Sequence, residues 1–150
     1  LIRYAYDFKL RQNLIHGNAR GRTTPDLNLS RIYDFEIYNN KAWGNWQHVS
    51  LAYGGVDQKD QSFFYRNIID GGGRRSGLYV YRTADTVISG NIMRNAPQYG
   101  AYLNQQYGPI DFRHNKLHNN GRTGLRVTSA LSGNMFKNLF VGNNWPGIRF

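Results

Sequence analysis

The stretch Val87-Ile88-Ser89-Gly90-Asn91-Ile92-Met93-Arg94-Asn95 sets one asparagine between two short alternations of apolar and polar side chains. The same arrangement returns around Asn115 in Phe112-Arg113-His114-Asn115-Lys116-Leu117-His118-Asn119-Asn120-Gly121. Working outward, equivalent asparagines stand at Asn13, Asn40, Asn67 and Asn138, so that the six are spaced by 27, 27, 24, 24 and 23 residues. A self-similar period of this length marks stacked structural units, each burying an apolar face against the next.

Three residues before each asparagine stand Leu10, Ile37, Phe64, Ile88, Phe112 and Met135, and two residues after it Ile15, Ala42, Ile69, Met93, Leu117 and Phe140. A second alternating pair follows: Leu27/Leu29, Val49/Leu51, Leu78/Val80, Ala101/Leu103, Leu125/Val127 and Ile148/Phe150. All these positions are apolar in a chain that is 40% hydrophobic overall. A spacing of two is the strand period, because successive side chains point to opposite faces. A helical solenoid would need apolar positions three and four apart over longer segments, and would not accept this much Gly and Asn. In the last four units Gly77, Gly100, Gly124 and Gly147 precede the second pair. Glycine there is expected to supply a backbone conformation that is costly for other residues. Each unit thus reads as strand, bend, strand, glycine turn, strand, turn. The fold class is all-β, a parallel β-helix (solenoid) of about six rungs in one domain spanning 1–150, roughly 25–30 Å long.

The sequence resembles the right-handed parallel β-helix superfamily, which holds pectate-lyase-like enzymes and phage tailspikes. The two stretches quoted carry the likeness, and the repeat extends it over nearly the whole chain. The resemblance implies a single-stranded right-handed coil whose asparagines stack as a ladder at a rung corner. Physical chemistry agrees: like amides about 4.8 Å apart along the axis can bond to one another and to turn backbone.

The chain has no cysteine, which excludes disulfides and zinc thiolate sites. His16, His48, His114 and His118 are not spaced as a metal cluster, and Asp57 with Asp60 reads as solvated turn chemistry rather than a calcium cage. No metal and no cofactor is expected. No apolar run approaches a membrane span and no signal-peptide pattern is present. Phe150 falls in an inward slot and no cap is evident at either end, so a fragment of a longer chain is expected; the resemblance to phage fibres, which usually trimerise, implies a homo-oligomer such as a trimer as the alternative.

Net charge is +10, unevenly spread. Residues 1–73 hold nine Lys and Arg against seven Asp and Glu; residues 74–150 hold ten against two. Most of the cations are arginine, suited to bidentate grip on carboxylate, sulfate or phosphate. A polyanionic partner and a generically basic surface are the two readings of this asymmetry.

Three segments break the repeat: 17–26 (GNARGRTTPD), 53–60 (YGGVDQKD) and 71–76 (GGGRRS). Loops that project from a rigid stack are where binding residues collect. The glycines of the last segment are not followed by GK[ST] or a helix, so they do not make a phosphate cradle.

Because rungs stack in register, surface columns can be read from the alignment. Three residues after each asparagine the column runs His16, Trp43, Asp70, Arg94, His118, Val141. It sets an aromatic face, a carboxylate, a guanidinium and an imidazole about 5 Å apart. The superfamily's lyases, hydrolases and epimerases place acids, bases and arginines on an exposed sheet face, which makes Asp70, Arg94 and His118 candidate catalytic residues and Trp43 a sugar platform. A plain Asp70–Arg94 ion pair is the structural alternative. A second column runs Asn28, Ser50, Tyr79, Tyr102, Arg126, Arg149, with Arg74, Arg75, Arg82 and Arg122 in adjoining turns. Tyr79, Tyr102, Arg126, Arg149, Arg74 and Arg75 are candidate groove residues for an acidic glycan. Nucleic acid is not the expected partner, since lysine-rich tracts and nucleic-acid fold signatures are lacking. A third column holds Arg11, Tyr38, Tyr65, Ser89, Arg113 and Phe136, flanked by Glu36 and Asp111. Those two acids lie three rungs apart, roughly 14 Å, too far for a glycosidase pair. The stretch Tyr107-Gly108-Pro109-Ile110-Asp111-Phe112-Arg113-His114 is similar to the YG-x-D-x-H element of alginate C5-epimerases, with two residues rather than one between acid and histidine.

Two function classes follow. One is an enzyme acting on an acidic polysaccharide by β-elimination, C5 epimerisation or hydrolysis, with Arg94 neutralising a carboxylate, His118 moving a proton and Asp70 orienting. The other is a non-catalytic tailspike-like, adhesin or structural stalk that binds glycans. Either implies an extracellular, cell-surface or virion setting.

Overall fold

A computed structural model describes residues 1–16, 27–44, 49–54, 61–71, 75–129 and 132–150. The first irregular segment lies outside the described residues, as do 55–60 of the second and 72–74 of the third. His48, Asp57, Asp60 and the groove candidate Arg74 therefore lie outside them as well.

Among the described residues nineteen strands form three parallel sheets. Sheet A orders β1 (Ile2–Ala5), β4 (Leu27–Ile32), β7 (Val49–Ala52), β10 (Ser76–Tyr81), β13 (Tyr99–Asn104), β16 (Leu125–Thr128) and β19 (Ile148–Arg149). Sheet B stacks β2 (Lys9–Arg11), β5 (Glu36–Tyr38), β8 (Ser62–Tyr65), β11 (Thr86–Ser89), β14 (Ile110–Arg113) and β17 (Met135–Phe136). Sheet C stacks β3 (Leu14–His16), β6 (Lys41–Gly44), β9 (Ile68–Gly71), β12 (Ile92–Arg94), β15 (Lys116–His118) and β18 (Leu139–Val141). Each strand pairs with the strand three further along the chain, always parallel, so one coil visits B, C and A in turn. The six repeat asparagines enclose five complete turns of that coil, with β18 and β19, which follow Asn138, beginning a further one.

The apolar alternation read from the sequence lines the interior. Phe64, Ile88 and Phe112 stack on the inner side of sheet B, Ile69, Met93 and Leu117 on that of sheet C, and Leu51, Val80, Leu103 and Val127 on that of sheet A. All are essentially fully buried, each contributing roughly 1.5–3 kcal/mol by area alone.

The corner between sheets B and C explains the asparagines. The preceding residue turns the chain by adopting a left-handed conformation: Gln12, Asn39, Arg66, Gly90, His114 and Lys137 all have φ between 53° and 63°. Each turn leaves polar backbone groups pointing inward, and the asparagine satisfies them. The Asn91 Oδ1 accepts from the Asn67 backbone N at 2.9 Å and from its Nδ2 at 3.1 Å. The Asn91 Nδ2 in turn donates to the Phe64 carbonyl at 3.0 Å and to Asn115 Oδ1 at 3.0 Å. The pattern runs unbroken from Asn13 to Asn138. A second, shorter ladder joins Ala96, Asn120 and Asn143 at the next corner.

The glycine column has a different cause from the expected one. Gly77, Gly100, Gly124 and Gly147 do not adopt positive φ; among the described glycines only Gly90, Gly133 and Gly142 do. Space is what excludes a side chain. A Cβ on Gly77 would stand 2.8 Å from the Gly100 carbonyl oxygen, and one on Gly100 would stand 2.8 Å from Asn120 Nδ2 and 2.9 Å from the Gly124 oxygen. The backbones of successive rungs and the second amide ladder fill the place of the missing side chain.

Candidate functional site

Sheet C aligns His16, Trp43, Asp70, Arg94, His118 and Val141 as register partners in one vertical file. The His16 and Trp43 rings stack at 4.5 Å and 11°, and Lys41 Nζ lies 5.2 Å from the Trp43 ring. The next two members are committed to each other. Arg94 Nε and Nη2 donate to Asp70 Oδ2 at 2.9 and 2.6 Å, while Asn95 Nδ2 donates to Asp70 Oδ1 at 2.7 Å. Burial works to raise the Asp70 carboxyl, but the Asn95 and Arg94 hydrogen bonds and the Arg94 charge outweigh it, and its pKa falls below the ordinary carboxylate value. Burial first, then the charges of Lys116 and Arg94, lowers the His118 imidazole below its usual pKa against the pull of Asp70. This file therefore offers a neutral imidazole beside an arginine whose charge an acid already balances.

Sheet A presents a different face. Its strands carry Arg3, Arg31, Arg126 and Arg149 together with Tyr4, Tyr79, Tyr81, Tyr99 and Tyr102, and no Asp or Glu. Ser50, Tyr79, Tyr102, Arg126 and Arg149 stand in one register column, as the alignment predicts. Around them lies a groove of about 450 Å³, lined by Val49, Ser50, Arg75, Ser76, Tyr79, Gln98, Tyr99, Tyr102, Asn104 and Arg126. Arg126 organises its floor. The guanidinium carbon sits 5.2 Å from both the Tyr99 and Tyr102 ring centres, and Nη1 donates to the Tyr99 hydroxyl at 2.5 Å. Tyr79 and Tyr102 pack at 5.4 Å with rings tilted by 51°, and Asn104 Nδ2 donates to the Tyr79 hydroxyl at 3.0 Å. Burial alone would raise the Tyr99 phenol, but hydrogen bonds from Arg126 and Arg122, with their charges, lower its pKa instead. Arg149 is turned to Trp145, its guanidinium carbon 5.6 Å from that ring, and Arg122 approaches the same ring at 5.5 Å.

A second groove of about 520 Å³ adjoins the start of sheet A, lined by Arg3, Tyr4, Ser30, Arg31, Tyr53 and Arg82. It is built by the left-handed residues that end the sheet A strands, where Tyr4, Arg31, Tyr53 and Arg82 alternate on successive rungs. Arg31 Nη1 donates to the Tyr4 hydroxyl and lies over that ring, and Arg82 lies over Tyr53, Tyr81 and Tyr107.

The structure thus brings Tyr79, Tyr102 and Arg126 together, adds Arg75 at the rim, and sets Trp43, Asp70, Arg94 and His118 apart on another sheet. Sequence reasoning passed over Ser76, Gln98, Tyr99 and the Tyr4/Arg31/Tyr53/Arg82 column. The last was open to the same column reading, near the end of β1 and β4 and directly after β7 and β10. Tyr99 carried no such signal, because the equivalent position in the preceding rung is Ser76. On sheet B, Asp111 Oδ1 accepts from the Asn134 backbone N and Nδ2 at 3.1 and 2.9 Å, and His114 is the left-handed corner residue. Glu36 pairs with Lys9 at 2.8 Å. These groups hold turns and strands together. No three His, Asp or Glu among the described residues converge to hold a metal ion.

A family model described as right handed beta helix region matches residues 1–145 of the chain. No curated protein and no solved structure matches it.

Proposed function

The chain belongs to the right-handed β-helix family, and on that scaffold we propose that sheet A binds an acidic extracellular polysaccharide. One observation carries this reading: the strands of sheet A hold four arginines, five tyrosines and no carboxylate. Tyrosine faces stack on sugar rings, while guanidinium forks bind carboxylate or sulfate in a bidentate way. Unopposed positive charge in a concave, partly apolar channel also raises the local concentration of a polyanion. The rung repeat of about 4.8 Å is close to the advance of one sugar in an extended chain, so equivalent contacts recur along the axis.

Among the described residues this face has no pair of acids, which disfavours hydrolysis and leaves binding, β-elimination or C5 epimerisation. The sheet C file is the lesser candidate because Asp70 already engages Arg94, the group assigned to neutralise a sugar carboxylate.

The test is retention of the protein on immobilised alginate, pectate and hyaluronan at low salt. The paired substitution Tyr102→Ala with Arg126→Gln should shift elution to clearly lower salt on the matrix that retains the wild type. Failure of every matrix to retain the wild type, or identical elution of the variant, removes the reading.

A further inference from the structure

The groove of about 520 Å³ at the end of the first sheet A strands is lined by Arg3, Tyr4, Ser30, Arg31, Tyr53 and Arg82. Every one of these side chains can donate a hydrogen bond, and none is an acid. Arg3, Tyr4 and Arg31 are exposed and the other three half-buried, so a ligand can reach them all. Elsewhere cations are matched by carboxylates, as in Lys9–Glu36 and Arg94–Asp70, but among the described residues no carboxylate pairs with Arg3, Arg31 or Arg82. Aromatic rings hold two of these guanidinium groups instead. The Arg31 guanidinium carbon lies 5.0 Å from the Tyr4 ring centre and 5.9 Å from that of Tyr53, one rung to either side. Arg82, on the rung beyond Tyr53, approaches the same ring at 5.8 Å and Tyr107 at 5.6 Å. Stacking on rings leaves the N–H edges to face the groove. Of five N–H donors each, Arg31 gives one to the Tyr4 hydroxyl and Arg82 one to Gln105 Oε1 at 3.1 Å. The backbone does not call for such residues. Tyr4, Arg31, Tyr53 and Arg82 all have φ between 50° and 56°, which glycine adopts at less cost.

We propose that this groove is a separate binding site for a phosphate monoester. It shares no lining residue with the groove around Arg126, so the inference does not rest on the acidic-polysaccharide reading. Arg3 pairs in register with Ser30, the residue before Arg31, which sets the two arginines on adjacent rungs about 5 Å apart. A planar carboxylate offers two oxygens in one plane and is satisfied by a single guanidinium fork. A phosphate offers three oxygens in three directions, enough for the forks of Arg3 and Arg31 together with the Ser30 or Tyr4 hydroxyl. Charge selects in the same sense. A phosphate monoester carries about −1.5 to −2 at pH 7, whereas a sulfate monoester or a carboxylate carries a single negative charge. Three arginines without a paired acid favour the more highly charged ligand. The groove is larger than a phosphate, and the 63% exposed Tyr4 ring at its wall suits the organic part of the ester.

The experiment is calorimetric titration of phenyl phosphate, phenyl sulfate and benzoate, three anions on the same ring, into the wild type at about 0.15 M salt, where loose surface attraction is screened. Phenyl phosphate should bind saturably and at least about fivefold more tightly than either of the others. Arg31→Gln should weaken phenyl phosphate about tenfold, and Arg3→Gln should act in the same direction. Glutamine is compatible with that corner, since Gln105 holds the equivalent left-handed position one rung beyond Arg82. The Tyr102→Ala, Arg126→Gln variant of the other groove should bind phenyl phosphate within about twofold of the wild type. No saturable binding up to about 10 mM, equal affinity for phosphate and sulfate, or unchanged affinity in Arg31→Gln overturns the assignment. Loss of phosphate binding in the Tyr102→Ala, Arg126→Gln variant overturns it as well, by placing the anion in the groove around Arg126.

Discussion

Asn91 Oδ1 accepts two hydrogen bonds from Asn67, one from the backbone N at 2.9 Å and one from Nδ2 at 3.1 Å. That relationship, repeated up the stack, lets a chain bend sharply at a buried corner without orphaning its polar groups. Replacing Asn91 with Ala would strand the Asn67 backbone N and the Phe64 carbonyl in an apolar interior, and would leave Asn67 Nδ2 only its bond to the Ile37 carbonyl at 2.9 Å. At about 1–3 kcal/mol per unsatisfied group, the variant should lose about 3 kcal/mol or more of unfolding free energy. Asn13→Ala, at the edge of the ladder and less buried, should lose less than half as much. Urea unfolding monitored by circular dichroism measures both; equal losses would contradict the ladder account.

Glycines that look alike in the sequence should respond differently. A Cβ at Gly100 meets Asn120 Nδ2, the Gly124 oxygen and Leu117 Cδ2 within 3.1 Å, whereas at Gly90 its nearest neighbour is Arg66 Cγ at 3.8 Å. Gly90 has φ of +63°, but the same corner accepts Gln, Asn, Arg, His and Lys in other rungs. Gly100→Ala should therefore cost about 2–3 kcal/mol through overpacking, and Gly90→Ala about 1 kcal/mol through backbone strain alone. Thermal unfolding of the two variants decides, and a larger loss at Gly90 would reverse the argument.

The scaffold was legible in the sequence for a physical reason. Parallel in-register stacking makes every inward slot repeat, so Ile88 predicts Phe112 and Asn91 predicts Asn115, and columns such as Trp43–Asp70–Arg94–His118 follow from counting. Other features do not propagate by register. The close approach that requires Gly100 is a matter of backbone spacing, and the groove depends on how Arg126 folds over Tyr99, which faces Ser76 one rung away. Column reading placed Asp70 beside Arg94 but could not tell an available arginine from one held by two hydrogen bonds.

The Asp70 pair gives a pH signature. Its carboxyl has a folded pKa below the unfolded value, so its stabilisation is complete above about pH 4 and disappears as pH falls through the folded value. The pair is part-exposed, with side chains 26% and 38% accessible, so its contribution should stay under about 1 kcal/mol. The stability difference between wild type and Asp70→Asn should thus be small and positive at pH 6 and shrink as pH falls below about 4. A difference that grows on acidification would exclude this ion pair as its source.

His118 should titrate below the ordinary imidazole value, because burial and the charges of Lys116 and Arg94 disfavour its cation. Folding then favours neutral His118, so this group's protonation cost appears as pH falls below about 6.5 and is absent above it. Lys116→Gln removes one of the two cations and should move the His118 midpoint upward in an NMR titration of the ring protons. A downward move would mean that the nearby charges act in the opposite sense.

Salt should weaken ligand binding on sheet A, since a large share of the attraction is between the arginines and ligand anions. The most direct measurement of the central claim is calorimetric titration of uronate oligomers, and of the same oligomers with carboxyl groups reduced to alcohols, into the wild type and the Tyr102→Ala, Arg126→Gln variant. The account predicts that the wild type binds the acidic oligomer at least about tenfold more tightly than the reduced one, that salt narrows the gap, and that the variant loses most of it. Equal affinity for acidic and reduced oligomers, or a variant that binds the acidic oligomer as the wild type does, would contradict it.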